Sequence, residues 1–258
     1  MSSYIPLHAL LYDHLYKDKD YRREAQFVHR QFKIRGLKKD ASLLEIACGT
    51  GSHSFNLEKF GYSITATDNS LPMLNVAKSK ALAQRSAVLF RPGDMRKLPV
   101  FKKKFDGALC LFDSIGYALT NEGVASTLQG IQKNLNPGGT FIFEFWHAAA
   151  MIKNYERKRT RTFAAEGRSF TRESETTLDY VNQTGIVKYT ITEESSSRKQ
   201  KPAREIQRNR FFSIPEMKLF LATAGFQPLK FYSGFSANTK IDSDTWHIVA
   251  VAQKTKTK

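Results

Sequence analysis

Short apolar runs separated by amphipathic segments form the main pattern along the middle of the chain. LLEIA (43–47) and SITAT (63–67) have the length and composition of β-strands, and helical spacing of apolar residues follows each. The run FDGALCLF (105–112) is too continuously apolar for a half-exposed strand, and is typical of a parallel sheet covered on both faces. With further strands at 87–91 and 140–146, this alternation predicts a doubly wound α/β domain.

The pattern differs at the start of the chain and after the fifth strand. Residues 1–40 place apolar side chains at helical intervals among charges, which predicts a helical lid. Residues 157–212 alternate Thr, Ser and charged residues with β-branched ones. This composition predicts an antiparallel β insertion, with a hairpin around Gly185.

Residues 213–258 return to the helix-and-strand pattern. Ser213 is a capping residue followed by an early acid, and it predicts a helix that Gly225 stops. FQPLKFYSGF and WHIVAVAQK then supply two strands. We therefore expect a seven-stranded sheet formed by residues 41–156 and 213–258, with the insertion after its fifth strand and a turn at 136–139 before that strand.

The totals change little in this picture. Hydrophobic residues make up 41% of the 258 residues and charged residues 25%, which is typical of a globular protein. No apolar run approaches the roughly 20 residues that span a membrane, and the first residues lack the apolar centre of a signal peptide. Cys48 and Cys110 lie in apolar surroundings and fit buried free thiols. We expect a cytoplasmic protein with no metal and no membrane partner.

The net charge is the unusual total. Lys and Arg number 40 against 24 Asp and Glu, which gives +16. Between Lys153 and Arg210 the basic surplus is six, from 14 basic and 8 acidic residues. Such a surplus suits nucleic acid, an acceptor that bears phosphate or carboxylate, or simply a solubilising surface.

The turns after the first four strands carry the candidate chemistry, because ligands of open parallel sheets bind at the carboxyl ends of the strands. A G-x-G turn alone is weak evidence, and Ser54 stands where a dinucleotide fingerprint has its third glycine. Four carboxylates near this edge would repel a pyrophosphate but suit a ligand with an ammonium and a sulfonium. They are Glu45, Asp68, Asp94 and Asp113. The predicted ligand is S-adenosylmethionine (SAM).

At this point LLEIACGTG, ATD, PGDMRKL and LNPGG, in this order and spacing, resemble class I SAM-dependent methyltransferases. The resemblance implies a Rossmann-like sheet. It implies that Gly49 and Gly51, with Ala47 and Cys48, line the methionine and ribose parts of SAM. It further implies that Glu45 supports the methionyl amino group, that Asp68, followed by Asn69, binds the ribose hydroxyls, that Asp94 and Met95 meet the adenine, and that the Leu111 backbone accepts from the SAM ammonium.

A closer resemblance is to nucleotide-linked amino-sugar N-methyltransferases, through YDHLYKDKDYRREA, ACGTGSH, LFDSIGY and EFW. It implies that Tyr16 lies near the acceptor amine, that Tyr21 lies near SAM, and that the insertion covers the substrate and makes homodimer contacts. The chain departs from that family's pattern at three acceptor-side segments, namely 17–19, 144–147 and 238–244.

Catalysis requires an acceptor with a free lone pair, because the sulfonium already makes the methyl group electrophilic. Tyr16 and His147 are the candidate catalytic residues, and Tyr16, Asp113, Tyr117 and His147 the candidate acceptor contacts, with His14 as a further candidate. His247 lies inside the last strand and is interpreted as structural.

Several functions remain open at this stage. The slot after the fourth strand lacks the Asn/Asp-Pro-Pro-aromatic run of enzymes that methylate base amines, and neither cysteine lies in a nucleophile loop. A small-molecule amine is therefore the favoured acceptor and nucleic acid a disfavoured one. The alternatives are tRNA or rRNA methylation, small-molecule O-methylation, and a non-catalytic SAM-binding protein.

Overall fold

The computed structural model describes residues 4–194, 201–236 and 240–255. Eleven strands form two sheets in this part of the chain. Their bounds are β1 (Ser42–Ile46), β2 (Ser63–Asp68), β3 (Leu89–Pro92), β4 (Phe105–Cys110), β5 (Leu135–Trp146), β6 (Lys158–Ala165), β7 (Arg168–Asp179), β8 (Thr184–Glu194), β9 (Ala203–Arg210), β10 (Phe226–Ser233) and β11 (His247–Lys254).

The larger sheet has seven strands in the order β10-β11-β5-β4-β1-β2-β3. The five strands β1 to β5 are parallel to one another, and β11 pairs antiparallel with both β5 and β10. The predicted α/β fold, with seven strands and an antiparallel insertion after the fifth, is confirmed.

Helices cover both faces of this sheet. They are α1 (Pro6–Leu15), α2 (Tyr21–Ile34), α3 (Ser52–Glu58), α4 (Leu71–Gln84), α5 (Asn121–Asn134), α6 (Ala148–Asn154) and α7 (Ile214–Thr223). Alternation along β5 sends Phe141 and Phe143 into one core layer and Ile142 into the other. Burial on both sides explains why the strand runs carry so few polar residues.

The smaller sheet is antiparallel, in the order β6-β7-β8-β9. The hairpin predicted around Gly185 is wrong in its position, because the turn lies at 180–183 and Gly185 pairs with Leu178 inside β8. Glycine allows close packing there, since a Cβ at Gly185 would lie 3.1 Å from Cζ3 of Trp146.

Two further details differ from the sequence expectation. Residues 136–139, predicted as a turn, lie within β5, where the pairing register with β4 shifts. The fourth strand ends at Cys110 rather than at Phe112, because Phe112 and Asp113 both adopt left-handed backbone conformations, with φ of 55° and 57°. No helix in the described residues is long and apolar enough to cross a membrane.

Candidate functional site

A cavity of about 690 Å³ opens at the carboxyl ends of the parallel strands, between the seven-stranded sheet, α1 and the insertion sheet. Thirteen of the residues predicted from the sequence line it. They are Tyr16, Tyr21, Glu45, Ala47, Cys48, Gly49, Asp68, Asn69, Asp94, Met95, Leu111, Asp113 and Tyr117. Gly51, His147 and the further candidate His14 do not line it.

The turn after β1 is anchored to the end of β2. The Gly49 amide donates to Oδ2 of Asp68 at 2.8 Å, and the Ser70 amide donates to Oδ1 at 2.7 Å. Gly49 has a φ of 55°, and a Cβ built on it meets no atom within 4 Å. The turn therefore presents bare backbone, backed by a carboxylate, to the open cavity. This arrangement leaves room for a ligand against Gly49.

Gly51 differs from Gly49. Its φ is 81°, and a Cβ there would lie 2.7 Å from Cζ of Phe90 and 3.1 Å from Cε2 of Phe55. The expectation that Gly51 lines the ligand is not met by this geometry, because Gly51 faces aromatic rings of the core. The glycine is required by backbone conformation and packing.

Glu45 is buried below this turn and accepts a hydrogen bond from the hydroxyl of Ser54. Burial raises the pKa of Glu45 to about 6. Ser54 occupies the position where a dinucleotide-binding turn has its third glycine. That glycine allows close packing of helix on strand, whereas the Ser54 hydroxyl here donates to the Glu45 carboxylate. The site accordingly carries negative charge where such a turn carries none.

Asp94 differs from the other carboxylates because its charge is balanced locally. Arg96 Nη2 lies 2.6 Å from Asp94 Oδ2, and the Arg96 amide donates to Oδ1 at 2.9 Å. This guanidinium lowers the pKa of Asp94. Glu45 and Asp68 thus face the cavity without an arginine partner of this kind.

The turn after β4 brings three titratable side chains together. His247 Nδ1 lies 2.8 Å from Asp113 Oδ2 and 3.6 Å from Glu144 Oε1. Glu144 also accepts from the Phe112 amide at 2.6 Å, which fixes the left-handed turn. The negative charge of Asp113 raises the pKa of His247 to about 9, and burial raises that of Glu144 to about 8.

The interpretation of His247 as structural is therefore incomplete, because this side chain lines the cavity. The available signal was its position at the first residue of the last strand, opposite Trp146 at the carboxyl end of β5. His147, the residue predicted instead, caps α6 and directs Nδ1 to the Thr245 carbonyl oxygen at 3.1 Å. His14 is exposed near the end of α1.

Tyr16 lines the cavity among aromatic rings. Its ring centroid is 4.7 Å from that of Tyr12 and 5.2 Å from that of Phe112. Its hydroxyl accepts a hydrogen bond from Arg172 Nη1 at 3.3 Å. The α1 end of the cavity is thus tied directly to the insertion sheet.

Three arginines of the insertion were missed by the sequence analysis, which recorded only a regional surplus of charge. Arg159, Arg161 and Arg172 line the cavity, and Arg161 pairs directly with Arg172 across β6 and β7. Like charges directly opposite each other destabilise a sheet, so the pairing of two arginines points to a role other than stability. Only the register of the two strands reveals that pairing.

Comparisons with known proteins agree with this geometry. Residues 43–139 match the family described as a methyltransferase domain. The Bacillus subtilis protein YqeM, which carries the name of a methyltransferase, is 25% identical over 96% of both chains. A dTDP-3-amino-3,4,6-trideoxy-alpha-D-glucopyranose N,N-dimethyltransferase of Streptomyces venezuelae is 32% identical, over 54% of this chain and 57% of that one. The chain thus spans about half the length of this amino-sugar relative.

The fold is also that of a solved SAM-dependent methyltransferase from Clostridium acetobutylicum. The TM-score is 0.82 at 21% identity, and the match covers 96% of this chain and 98% of the other. Residues 43–139 thus match a methyltransferase domain, and the chain shares the fold of SAM-dependent methyltransferases. It is similar to nucleotide-linked amino-sugar N-methyltransferases.

Proposed function

We propose that this enzyme transfers the methyl group of SAM to the amine nitrogen of a small molecule that carries an anionic group, as a nucleotide-linked amino sugar does. One observation carries the proposal. Arg172 is only 6% exposed, lines the cavity, and forms no ion pair with an acidic side chain in the described parts of the chain. A buried guanidinium without a counter-charge is costly, so a ligand anion is its natural partner.

The neighbours of Arg172 support this assignment. The guanidinium carbon lies 4.7 Å from the ring centroid of Tyr189, and its Nε has no partner within the described residues. Arg161 stands opposite it, and Arg159 lies two residues further along the same strand face. Arginine presents a planar fork of donors that matches phosphate and carboxylate. The arginine wall formed by Arg159, Arg161 and Arg172 therefore suits either anion.

The other end of the cavity has the opposite charge. Glu45 and Asp68 lie there beside the bare backbone of Gly49, and they suit the ammonium, sulfonium and ribose of SAM. In this proposal Ala47, Cys48, Asn69, Met95 and Leu111 complete the cofactor site, with Tyr21 above it. The two charged ends favour a cationic donor at one side and an anionic acceptor at the other.

The chain's own part in the reaction is then mainly alignment. SAM supplies an electrophilic methyl group, and holding the nucleophile in line with it contributes about 7–11 kcal/mol at best. Tyr16, Tyr12 and Phe112 offer ring faces that attract a cationic amine. Tyr117 donates to Gln207 at 2.7 Å and so closes the acceptor side between the β4 turn and β9.

Residues 1–40 and 157–212 serve in this proposal as a lid and an acceptor cover around residues 41–156 and 213–258. Both segments contribute side chains to the cavity wall, including Tyr16 and Arg172. We assign the insertion a second role in homodimer contacts, which sedimentation would test. Two buried free cysteines fit a cytoplasmic location.

RNA methylation is the alternative that the basic charge suggests. The arginine wall argues against it, because Arg172 is reached from inside a cavity rather than from an open surface. A filter-binding series at rising salt separates the two, since contacts to nucleic-acid phosphates weaken steeply with salt. Salt-sensitive binding of tRNA or rRNA, together with methyl transfer to it, would favour the alternative.

An acceptor screen with labelled SAM over amino sugars, their nucleotide-linked forms, other amines and hydroxylated metabolites tests the proposal. In parallel, calorimetry of inorganic pyrophosphate binding tests the arginine wall. Arg172→Gln should lose this binding, whereas Arg208→Gln, an exposed residue on the outer face of the same sheet, should keep it. Transfer confined to hydroxyl groups would support O-methylation instead.

A further inference from the structure

We propose that His247, held by Asp113 and Glu144, accepts the proton that the acceptor amine must lose. The inference rests on the proposed amine methylation and adds a residue to it. Three different strands of the central sheet supply these side chains: β11 begins with His247, β5 contains Glu144, and Asp113 follows β4. Asp113 and His247 line the cavity, and Glu144 is buried behind them.

The backbone around Asp113 is strained, and hydrogen bonds from other strands hold it in that conformation. Phe112 and Asp113 are consecutive non-glycine residues at positive φ, a conformation that costs about 1–3 kcal/mol each and concentrates at functional sites. Glu144 holds the Phe112 amide, and Asn209 Nδ2 donates to the Asp113 carbonyl oxygen at 3.1 Å. The fold thus fixes the Asp113 carboxylate under the imidazole.

The orientation of His247 leaves one ring nitrogen for the ligand. Nδ1 faces the two carboxylates. Asp113 is buried, with 3% of its side chain exposed, whereas 44% of the His247 side chain is exposed. A carboxylate at Nδ1 fixes the tautomer with the proton on that nitrogen, and Nε2 is then the basic atom. Asp113 Oδ1 is buried and has no hydrogen-bond partner among the described residues, so the pair holds further negative charge behind the ring.

The surrounding charges bring the pKa of His247 close to that of an alkyl ammonium. Asp113 and Glu144 raise its pKa to about 9 against the opposing effects of burial and of Lys19, whose Nζ lies 4.4 Å from the centroid of the Phe112 ring. An alkyl ammonium resembles lysine, with a pKa of about 10.4. Proton transfer between groups of similar pKa is nearly balanced, whereas an ordinary histidine, with a pKa of about 6.5, would be a much weaker acceptor.

The step balances without any further reagent. Nε2 takes a proton from the ammonium of the acceptor, which gives an imidazolium and a free amine lone pair. This lone pair forms the new N–C bond as the C–S bond breaks, and the electrons of that bond remain on sulfur. The imidazolium then releases its proton to solvent.

The first test needs no acceptor. Isothermal titration calorimetry in buffers of different ionisation enthalpy, at about pH 9, counts the protons released when SAM or S-adenosylhomocysteine binds. A cationic sulfonium beside the cluster should displace a proton that the neutral thioether leaves in place. We expect the SAM excess to disappear in His247→Asn and to persist in His14→Gln.

Equal excesses in the wild type and in His247→Asn would overturn the proposal. Unchanged affinity for S-adenosylhomocysteine checks that His247→Asn is folded. Failure of all variants to bind SAM would refute the cofactor site instead, and failure of the acceptor screen would refute amine methylation, so the three outcomes are distinguishable.

Kinetics on an amine acceptor supply the second test. A positioned base contributes about 10²–10⁴-fold, so His247→Asn should lower kcat at least about 100-fold, with partial rescue of His247→Ala by added imidazole. Asp113→Asn should move the ascending limb of the pH–rate profile, along which His247 loses its proton, to lower pH. An unmoved limb, or activity lost on chelation and restored by a divalent cation at this Asp–Glu–His cluster, would contradict the proposal.

Discussion

Arg161 on β6 lies directly opposite Arg172 on β7, and both guanidinium groups line the cavity. Burial and the neighbouring Arg159 and Arg172 lower the pKa of Arg161. A sheet that served only as a scaffold would gain stability by separating these charges. The proposed anion site accounts for this pairing, because function can be maintained at some cost in stability.

The first prediction is that removing one of these two charges stabilises the protein. Arg161→Gln should raise the free energy of unfolding by about 0.2–1 kcal/mol, because like charges directly opposite in a sheet destabilise it by that order. The same change should weaken pyrophosphate binding. Urea denaturation and calorimetry measure the two effects. A variant that is both less stable and equally able to bind pyrophosphate would count against the arginine wall as an anion site.

The second prediction separates the two glycines of the first turn. Gly51→Ala should lower the free energy of unfolding by about 1–2 kcal/mol because alanine disfavours positive φ, and by about 1–3 kcal/mol more because its Cβ clashes with Phe90. Gly49→Ala should lose only the backbone part, since its Cβ meets open space, but it should weaken SAM binding. Thermal unfolding with and without SAM measures both variants. Equal loss of stability in the two would show that the turn packs differently.

The third prediction separates cofactor binding from turnover. Asp68→Asn should lower SAM affinity at least about tenfold, because hydrogen bonds to a charged group contribute about 1.5–3 kcal/mol. Tyr16→Phe should leave SAM affinity unchanged and lower turnover, since its hydroxyl contacts Arg172 on the acceptor side. Asp40→Asn, at an exposed position before β1, is the control for the first change. Equal loss of SAM binding and turnover in Tyr16→Phe would remove Tyr16 from the acceptor side.

The fourth prediction concerns pH. Asp113 raises the pKa of His247 to about 9 from 6.5, so its contribution to stability is complete below about pH 6.5 and is lost as pH rises through about 9. Burial raises the pKa of Glu144 to about 8, and this group has the same sign because folding favours its protonated form. Tm should therefore fall between these limits, and fall less in His247→Asn. A flat or rising Tm across this range would show that the cluster is not coupled to folding.

The sequence predicted the fold well because each central strand carries its own local signal. Each continuous apolar run, the glycine turn after β1 and the acid that ends β2 is encoded by a few neighbouring residues. The errors fall where distant residues decide the outcome. Gly185 resembles a turn glycine until Trp146 is seen against it, and Phe112 continues an apolar run until Glu144 fixes its amide in a left-handed turn.

The same distinction holds for the site. Residues near the carboxyl ends of parallel strands, namely Glu45 in β1, Asp68 at the end of β2 and Asp113 after β4, could be brought together by the edge rule for parallel sheets. His247 could not, because its place beside Asp113 depends on the antiparallel pairing of the last strand with β5. Arg161 and Arg172 are eleven residues apart in sequence, and only the register of β6 and β7 makes them one feature.

Methyl transfer from labelled SAM to a nucleotide-linked amino sugar, with the product resolved by mass spectrometry and NMR, tests the proposed reaction itself. We expect the label on the amine nitrogen. Arg172→Gln should lower kcat/KM about 10- to 100-fold, in line with about 1.5–3 kcal/mol for a charged contact, and Arg208→Gln should leave it unchanged. A label on RNA or on a hydroxyl group, with Arg172→Gln as active as the wild type, would contradict the account.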